Sequence, residues 1–305
     1  MAPEKVKAVL DAAKKYGYYP NKMASALRRN DTGVITFLES GVSEGVLSHR
    51  NFLWLYAYGI KGVQSVLENS MYQMNMFTLT PQNAASFFAK KQCDGIITFS
   101  LGEKYLARVK SSGLPYVMCY REPSPAYNSV YIDEIHGGYL AGEYLKKTGH
   151  VKFAHITAGI GKDQASNYRL EGFRKAIGVE PMIFEGEYGI KGGYEQGKLI
   201  ARYIKEGKVD GIFALNDLTC FGVIQALLEN GIKIPRDVSL IGYDNMPYID
   251  SLPFMLTTIE LRMFDVYKTA MEALLRIIKS GGEIHQSVKP VLIKGESVIQ
   301  RISTK

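Results

Sequence analysis

Residues 211–243 read GIFALNDLTCFGVIQALLENGIKIPRDVSLIGY, and their pattern is the clearest indication of the fold. A short apolar run at 211–215 precedes a helical pattern at 218–230, and a second apolar run follows at 239–243. Short runs without polar alternation are typical of strands in a parallel sheet covered by helices on both faces. Gly231 suits the left-handed conformation that ends many helices. The stretch therefore predicts a strand, a helix and a second strand.

The same alternation extends over most of the chain after Asp31. Apolar runs bounded by turn residues predict strands at 34–38, 72–79, 95–100, 116–120, 130–133, 153–157, 182–185, 211–215 and 239–243. Helical patterns separate or follow them at 53–69, 81–91, 103–111, 134–147, 165–176, 193–206, 218–230 and 262–279. Regular alternation of this kind predicts an α/β fold with doubly wound sheets.

The series divides near residues 128–133 into two halves of similar size. After the second half, a helix at 262–279 can return to the first half, and an extended run at 290–302 can pair with the second. We therefore expect two lobes, formed by residues 31–131 with 261–288 and by residues 132–260 with 289–305. Ligands of such folds bind at the carboxyl ends of the strands, so we expect a cleft there that closes by hinge motion.

Composition excludes several classes of protein. The chain has 305 residues, 46% of them hydrophobic, and contains no run of about 18 apolar residues that could span a membrane. No apolar segment follows the basic N-terminal residues, so no secretion signal is predicted. The cysteines are Cys93, Cys119 and Cys220, an odd number lying far apart among apolar neighbours. This pattern predicts free buried thiols in a reducing cytoplasm.

Catalytic and cofactor motifs are not found in the sequence. The five histidines lack metal-ligand spacing, and no nucleophile elbow or acid–base pair is evident. Gly159-Ile160-Gly161-Lys162 follows a predicted strand, but it lacks the glycine spacing and the Lys-Ser/Thr pair of a phosphate-binding loop. We therefore expect neither an enzyme nor a bound metal or cofactor.

The first 30 residues carry a separate signal, which is positive charge. They hold seven basic and two acidic side chains, and so account for five of the seven net positive charges of the chain. Two short helical patterns, at 3–16 and 22–29, are joined by Gly17-Tyr18-Tyr19-Pro20-Asn21. Charge confined to one end favours a polyanionic partner for that end. The alternative is a solvated, disordered tail.

Several strings follow one another in a characteristic order: Tyr16 to Asn21 with Ala24 and Leu27, Gly149-His150, Arg169-Leu170-Glu171-Gly172-Phe173, Asn216-Asp217, Ile234 to Asp244, Leu256 to Ile259, and Gln300 to Ser303. In sequence and in order they resemble the LacI/GalR family of bacterial transcriptional regulators. Each match is weak alone, but together they span residues 3–303 and are specific.

The resemblance implies a helix-turn-helix headpiece, a hinge helix and two core lobes similar to periplasmic sugar-binding proteins. It also implies a homodimer on a pseudopalindromic operator that a small effector releases or recruits. Residues 3–16 match only the last of the three headpiece helices. Because the helix that enters the major groove has no counterpart, we expect negligible specific operator binding by this chain as written.

For operator contact, the resemblance points to residues 1–30, a partial headpiece followed by a hinge helix. Leu27 matches an intercalating leucine, and an apolar side chain flanked by Arg28 and Arg29 is suitable for a minor-groove wedge. The alternative is that Leu27 packs on the partner helix of a dimer. Asn21 and Ala24 complete the expected DNA-binding set.

For the effector, the resemblance points to Arg169, Asn216 and Asp244. The guanidinium of Arg169 is a rigid fork suited to two vicinal hydroxyls or to a carboxylate. Asp244 accepts hydrogen bonds, and Asn216 donates and accepts them. Alternatively, Arg169 is a surface cation, and Asn216 and Asp244 cap the helices that follow them. Asp217 is expected to cap the helix that begins at Leu218.

Two aromatic residues complete the expected site. Trp54, the single tryptophan, follows a long loop after the first strand and either stacks on a sugar ring or packs in the core. The family often has Asp-Arg after the fourth strand, whereas this chain has Tyr120-Arg121. Tyr120 is therefore expected to form a stacking wall. Because the aspartate is absent, the sugar bound by another family member is not assigned to this chain.

The sequence favours a cytoplasmic, ligand-responsive regulator that recognises a carbohydrate effector. The alternative is an extracytoplasmic sugar-binding protein of a transporter, which shares the core lobes. That protein would need a secretion signal and would have no use for Leu27 between basic residues.

Overall fold

The computed structural model describes residues 3–17, 31–40, 53–90, 92–99, 101–119, 124–161 and 163–301. The predicted hinge helix at 22–29 and Tyr120 lie outside these ranges. Helix α1 (Pro3–Lys15) confirms the first basic helical pattern. None of the helices in the described ranges is long and apolar enough to cross a membrane.

Two six-stranded sheets form the core of the molecule. The first contains β1 (Val34–Ser40), β2 (Gln73–Leu79), β3 (Gly95–Thr98), β4 (Tyr116–Cys119), β5 (Ser129–Ile132) and β11 (His285–Val288). Its strand order is β11-β5-β4-β3-β1-β2, and every neighbouring pair is parallel. The central strands are buried along their whole length, because helices cover both faces of the sheet.

The second sheet contains β6 (Phe153–Thr157), β7 (Met182–Glu185), β8 (Gly211–Phe213), β9 (Ser239–Asp244), β10 (Thr257–Glu260) and β12 (Val291–Ile293). Its order is β12-β10-β9-β8-β6-β7, with only β12 antiparallel to its neighbour in the described pairings. The predicted doubly wound α/β class with two sheets is confirmed.

Helices connect successive strands, so the carboxyl ends of the strands in each sheet lie along one edge. They are α2 (Leu53–Leu67), α3 (Ala84–Ala89), α4 (Glu103–Ser111), α5 (Glu134–Lys147), α6 (Gln164–Ile177), α7 (Ile190–Lys205), α8 (Asp217–Glu229) and α9 (Met263–Ser280). Polar side chains that follow different strands can therefore be close neighbours at this edge although they are far apart in the sequence.

Helices α5 and α6 pack with their backbones in contact through glycines. A Cβ atom on Gly172 of α6 would clash with the carbonyl oxygen of Ile135 on α5. A Cβ atom on Gly138 of α5 would clash with the carbonyl oxygen of Arg169 on α6. Helix α6 begins at the cap Asp163, whose carboxylate accepts from the Ser166 amide at 2.8 Å. The glycines therefore fix the spacing of the two helices next to the site described below.

The last part of the chain returns to both sheets. Helix α9 packs on α2, where Tyr267 lies against Gly59 and stacks on Phe37 of β1 with ring centroids 5.7 Å apart. Strand β11 then pairs with β5, and β12 pairs with β10. The chain thus crosses from the second sheet to the first and back again, as the sequence predicts for 262–279 and 290–302.

Several details differ from the sequence predictions, including strand β10 (Thr257–Glu260), which was not among the predicted strands. The final run at 290–302 forms a strand only over Val291–Ile293. Strand β11 has no counterpart among the predicted strands, because its residues are polar and mostly exposed. Helix α7 begins at Ile190, before the predicted residue 193. All three cysteines are buried and free, which confirms the expected thiols.

Candidate functional site

Three of the predicted site residues come together at the carboxyl edge of the second sheet. Asn216 follows β8, Asp244 is the last residue of the neighbouring strand β9, and Arg169 lies on α6 after β6. All three are nearly fully buried, with exposed fractions of 1%, 7% and 2%. The folded chain therefore gathers side chains that are 28 to 75 residues apart in sequence.

Arg169 is buried and so is not a surface cation. Its guanidinium is not free for a ligand either, because two of its nitrogens donate to Glu134. The Arg169 Nε donates to Glu134 Oε2 at 2.8 Å, and Nη2 donates to Oε1 at 3.1 Å. Nη1 donates to the Leu215 carbonyl at 2.9 Å. Glu134, the first residue of α5, is itself only 7% exposed. The two side chains form a buried, bidentate ion pair.

Tyr243 holds both members of this pair. Its hydroxyl donates to Glu134 Oε2 at 2.5 Å. The Arg169 guanidinium carbon lies 3.8 Å from the centre of the Tyr243 ring, which is a close cation–π distance. A Cβ atom on Gly137 of α5 would clash with the Tyr243 hydroxyl, so the glycine makes room for this contact.

Asn216 has two roles at once. Its Oδ1 accepts from the Thr219 amide at 3.0 Å and from the Thr219 hydroxyl at 2.8 Å, so Asn216 caps α8. Its Nδ2 lies 3.4 Å from Asp244 Oδ2. The expectation that Asp217 caps this helix is wrong. Asn216 has extended backbone angles, which suit a cap, and Asp217 is already the first helical residue.

Asp217 instead stabilises the turn that carries Asp244. Its Oδ1 accepts from the Thr258 hydroxyl at 2.6 Å, and its Oδ2 accepts from the Met246 amide at 3.0 Å. The turn is unusual because Asp244 and Asn245 have φ angles of 114° and 53°. Non-glycine residues in this region cost on the order of 1–3 kcal/mol each and persist only where the surroundings hold them. Asp217 supplies that support.

Burial raises the pKa of both aspartates of the site. Desolvation raises the pKa of Asp217 to about 7, against the opposing effect of its hydrogen bonds from Thr258 and Met246. Desolvation also raises the pKa of Asp244 well above its ordinary value, against the attraction of Arg169. Repulsion from Asp217 and Glu134 adds to the rise for Asp244. The site therefore contains carboxyl groups that titrate far above their unfolded range.

This raised pKa predicts a pH effect on stability. The folded state binds the Asp217 proton more tightly than the unfolded chain does, so the carboxyl group destabilises the fold increasingly as pH rises from about 4 to about 7. We expect Asp217→Asn to reduce the loss in unfolding free energy between pH 5 and pH 7, measured by urea denaturation.

The matched control is Asp237→Asn. Arg236 lowers the pKa of Asp237 to about 2, so its stabilising contribution is complete above pH 4 and is lost only as pH falls further. This variant should keep the wild-type slope between pH 5 and pH 7. An unchanged slope in Asp217→Asn would contradict the assignment of that slope to the buried carboxyl group.

Trp54 lies between the two halves of the molecule. It is half-buried at the start of α2, packs against the apolar clusters of both sheets, and forms an edge-to-face contact with Tyr58 at 5.9 Å. Its neighbour Tyr56 donates to Glu39 Oε2 at 3.1 Å at the carboxyl end of β1. Trp54 therefore packs against the core, which was one of the two alternatives, and its stacking on a sugar ring stays a prediction.

The main residue that sequence reasoning missed is Glu134. The signal was available, since β5 ends at Ile132 at the carboxyl edge of the first sheet, and Glu134 follows Asp133, the cap of α5. Tyr243 was part of a matched string but carried no assigned role. The predicted stacking residue Tyr120 and the DNA-binding set Asn21, Ala24, Leu27, Arg28 and Arg29 lie outside the described residues.

Two surface grooves lie away from this cluster. One, of about 860 Å³, lies at the amino ends of the first sheet and is lined by residues such as Asp94 and Pro115. The other, of about 800 Å³, lies at the β7 edge of the second sheet beside Asp163 and Glu185. Neither is lined by Arg169, Asn216 or Asp244, and the first lies at the wrong end of the strands. In the described part of the chain, no three His, Cys, Asp or Glu side chains are arranged to hold a metal ion.

Known proteins share this architecture. Residues 143–303 match the family described as periplasmic binding protein-like domain. The HTH-type transcriptional repressor PurR of Mannheimia succiniciproducens is 30% identical over 264 residues, which cover 81% of this chain and 75% of that protein.

Solved structures show the same fold. A LacI family transcriptional regulator from Enterococcus faecium with bound ribose superposes with a TM-score of 0.70 at 23% identity, over 88% of this chain and all of that one. The lac repressor dimer bound to operator and the anti-inducer ONPF gives a TM-score of 0.71 at 20% identity, over 92% and 99% of the two chains.

Proposed function

Because this chain belongs to the LacI/GalR family of transcriptional regulators, we propose that it senses a small carbohydrate effector. The effector, a sugar or sugar derivative, binds at the carboxyl edge of the second sheet and controls the affinity of the intact regulator for operator DNA. The observation that carries this proposal is the convergence of Arg169, Asn216 and Asp244 at that edge.

The chemistry of the cluster supports a polyhydroxyl ligand. Asn216 Nδ2 and Asp244 Oδ2 lie 3.4 Å apart, so one donor and one acceptor are close enough to engage neighbouring hydroxyls. Trp54 contributes an aromatic surface, and Tyr120 is assigned by resemblance to a second one. The Enterococcus faecium regulator of the same fold was solved with ribose, which agrees with a carbohydrate.

The mechanism we propose is linkage between the cleft and the hinge. Residues 31–131 with 261–288 form one lobe, and residues 132–260 with 289–305 form the other. An effector that prefers one arrangement of the lobes changes the spacing of two hinge helices in a homodimer, with a coupling of about 1–3 kcal/mol. In the intact regulator, Leu27 with Arg28 and Arg29 then contacts the operator, and we propose a cytoplasmic protein because operator DNA lies there.

The related proteins favour this function over the alternatives. The periplasmic binding protein-like domain is common to regulators and to transport proteins, but the Mannheimia relative is a transcriptional repressor. The name of that relative describes a regulator, in agreement with the absence of a catalytic motif from the sequence. The extracytoplasmic alternative gains no support.

Binding of a carbohydrate panel tests the proposal, followed by Asp244→Asn. Titration calorimetry of the full chain with pentoses, hexoses and disaccharides should reveal a ligand. The substitution keeps the size of Asp244 but replaces an oxygen, which can accept a hydrogen bond whether or not the carboxyl group is protonated, by an NH2 group that only donates. We therefore expect at least about a tenfold loss of affinity, which is about 1.4 kcal/mol.

Asp237→Asn is the control, because Asp237 is partly exposed on the same lobe and pairs with Arg236. It should bind the ligand as tightly as the wild type. A panel without any ligand, or equal affinities for the wild type and Asp244→Asn, would refute the assignment of the cleft.

A further inference from the structure

The pairing of Arg169 with Glu134 bears on which effectors the site accepts. A guanidinium that binds a carboxylate through two parallel N–H···O bonds makes the contact expected for an acidic ligand. Here a residue of the chain already makes that contact, at 2.8 Å and 3.1 Å. Tyr243 donates to the same Glu134 carboxylate and stacks on Arg169, which fixes both partners.

The charges around the pair are also unfavourable for a second anion. Asp244 lies near enough to Arg169 and Glu134 for their charges to interact. Burial raises the pKa of Asp244, and repulsion from Asp217 and Glu134 raises it further, so a second anion would meet the same penalty. All four side chains are less than a tenth exposed. Solvent screens such a cluster poorly, and like charges inside it repel strongly.

We propose that Glu134 is a specificity-determining residue, which fills the anion-binding fork of Arg169 and thereby makes the site reject carboxylate- and phosphate-bearing effectors. The location of the effector rests on the proposed function, whereas the claim that Glu134 occupies an anion site can be tested without an effector. The accepted class is then uncharged polyhydroxyl compounds, and sugar acids and sugar phosphates are excluded.

The first experiment uses small anions as probes. Glu134→Ala removes the carboxylate and leaves a space beside Arg169 that formate or acetate can enter. We expect either anion to raise the Tm of Glu134→Ala at constant ionic strength with chloride as reference, because a ligand that binds only the folded state stabilises it. The wild-type Tm should not respond.

Glu134→Gln keeps the experiment decisive if the alanine variant fails to fold. Glutamine retains an acceptor for Arg169 and Tyr243 but loses the charge, so Arg169 is left with an unbalanced positive charge. Formate, acetate or sulfate should then stabilise this variant more than chloride does. If neither variant responds to anions, or if the wild type responds equally, the proposal is overturned.

The matched control comes from the same helix. Arg174 of α6 also makes a bidentate pair, with Glu180, but these side chains are 39% and 63% exposed. Glu180→Gln removes the same type of partner from a solvated arginine, whose charge water already screens. Its Tm should show no specific response to formate.

The second experiment compares each carbohydrate with its charged derivatives by titration calorimetry. Glucose is compared with glucuronate, and ribose with ribose 5-phosphate. The wild type should bind the uncharged member of a pair at least about tenfold more tightly than the anionic member, which corresponds to about 1.4 kcal/mol. In Glu134→Gln, the ratio of the affinity for the uncharged member to the affinity for the anionic member should be smaller. Equal or tighter binding of an anionic member by the wild type would overturn the proposal.

The two experiments separate the two claims. If formate stabilises Glu134→Ala and no carbohydrate binds the wild type, the proposed function fails and the role of Glu134 at Arg169 stands. If the wild type binds glucuronate or ribose 5-phosphate through Arg169, the function stands and the exclusion by Glu134 is wrong.

Discussion

Arg169→Ala is expected to lower the unfolding free energy by about 3–5 kcal/mol, because it leaves Glu134 buried without its ionic partner. Glu134 is 7% exposed, and its other described partner is the hydroxyl of Tyr243. The substitution also removes the hydrogen bond to the Leu215 carbonyl and the stacking on Tyr243. Urea denaturation followed by circular dichroism measures the loss.

Arg174→Ala is the matched comparison. It removes an arginine of the same helix from an exposed pair with Glu180, and such pairs contribute about 0–1 kcal/mol. The double variant Arg169→Met with Glu134→Gln should lose less stability than Arg169→Met alone, because no buried charge is left unpaired. A loss below about 1 kcal/mol in Arg169→Ala would mean that water solvates Glu134, contrary to the buried pair.

The expected loss of stability makes Arg169→Ala a poor variant for testing the effector site. A binding defect in Arg169→Ala would combine lost contacts with a weakened fold, so it does not identify a ligand contact by itself. Asp244→Asn preserves side-chain size at the edge of the cluster. It is therefore the sharper substitution for measuring effector affinity.

Gly172→Ala is expected to destabilise the protein by about 2–3 kcal/mol, because the added methyl group forces α5 and α6 apart. The Cβ atom would meet the carbonyl oxygen of Ile135, and backbone atoms cannot move aside as a flexible side chain can. Alanine favours helix by about 1 kcal/mol over glycine, so the measured loss is already reduced by that gain.

The same substitution should weaken effector binding, because α5 carries Glu134 and α6 carries Arg169. Separation of the helices lengthens the 2.8 Å contact between Arg169 Nε and Glu134 Oε2. Lys175→Ala, on the exposed face of α6, is the control and should stay within about 0.5 kcal/mol of the wild type. If Gly172→Ala were as stable as this control, α5 and α6 would not be in the close contact described.

The sequence was sufficient to predict the fold class and to group Arg169, Asn216 and Asp244 in one site. Residues 153–157, 182–185, 103–111 and 134–147 were assigned with the bounds that the structure has, since their patterns are strong and their ends are marked by turn or cap residues. The resemblance to the LacI/GalR family grouped Arg169, Asn216 and Asp244, and the carboxyl-edge rule for parallel strands explains why Asn216 and Asp244 lie side by side.

The sequence was insufficient where two neighbouring residues offered the same chemistry. Asn216 and Asp217 both accept hydrogen bonds, and only the extended backbone of Asn216 makes it the cap of α8. Strand β11 was missed for another reason: its exposed residues have no apolar pattern, and its pairing with β5 more than 150 residues earlier defines it.

Local periodicity and short strings of residues are enough to predict the alternation of strands and helices and the edge at which polar side chains gather. They also carry the resemblance that the related proteins confirm. The partner of each buried polar group, in contrast, is known only from the folded chain. Glu134 binds Arg169 across 35 residues, and Asp217 binds Thr258 across 41, because parallel strands joined by helices bring distant residues to one edge. Burial then makes those partners, rather than water, set the charge of the site.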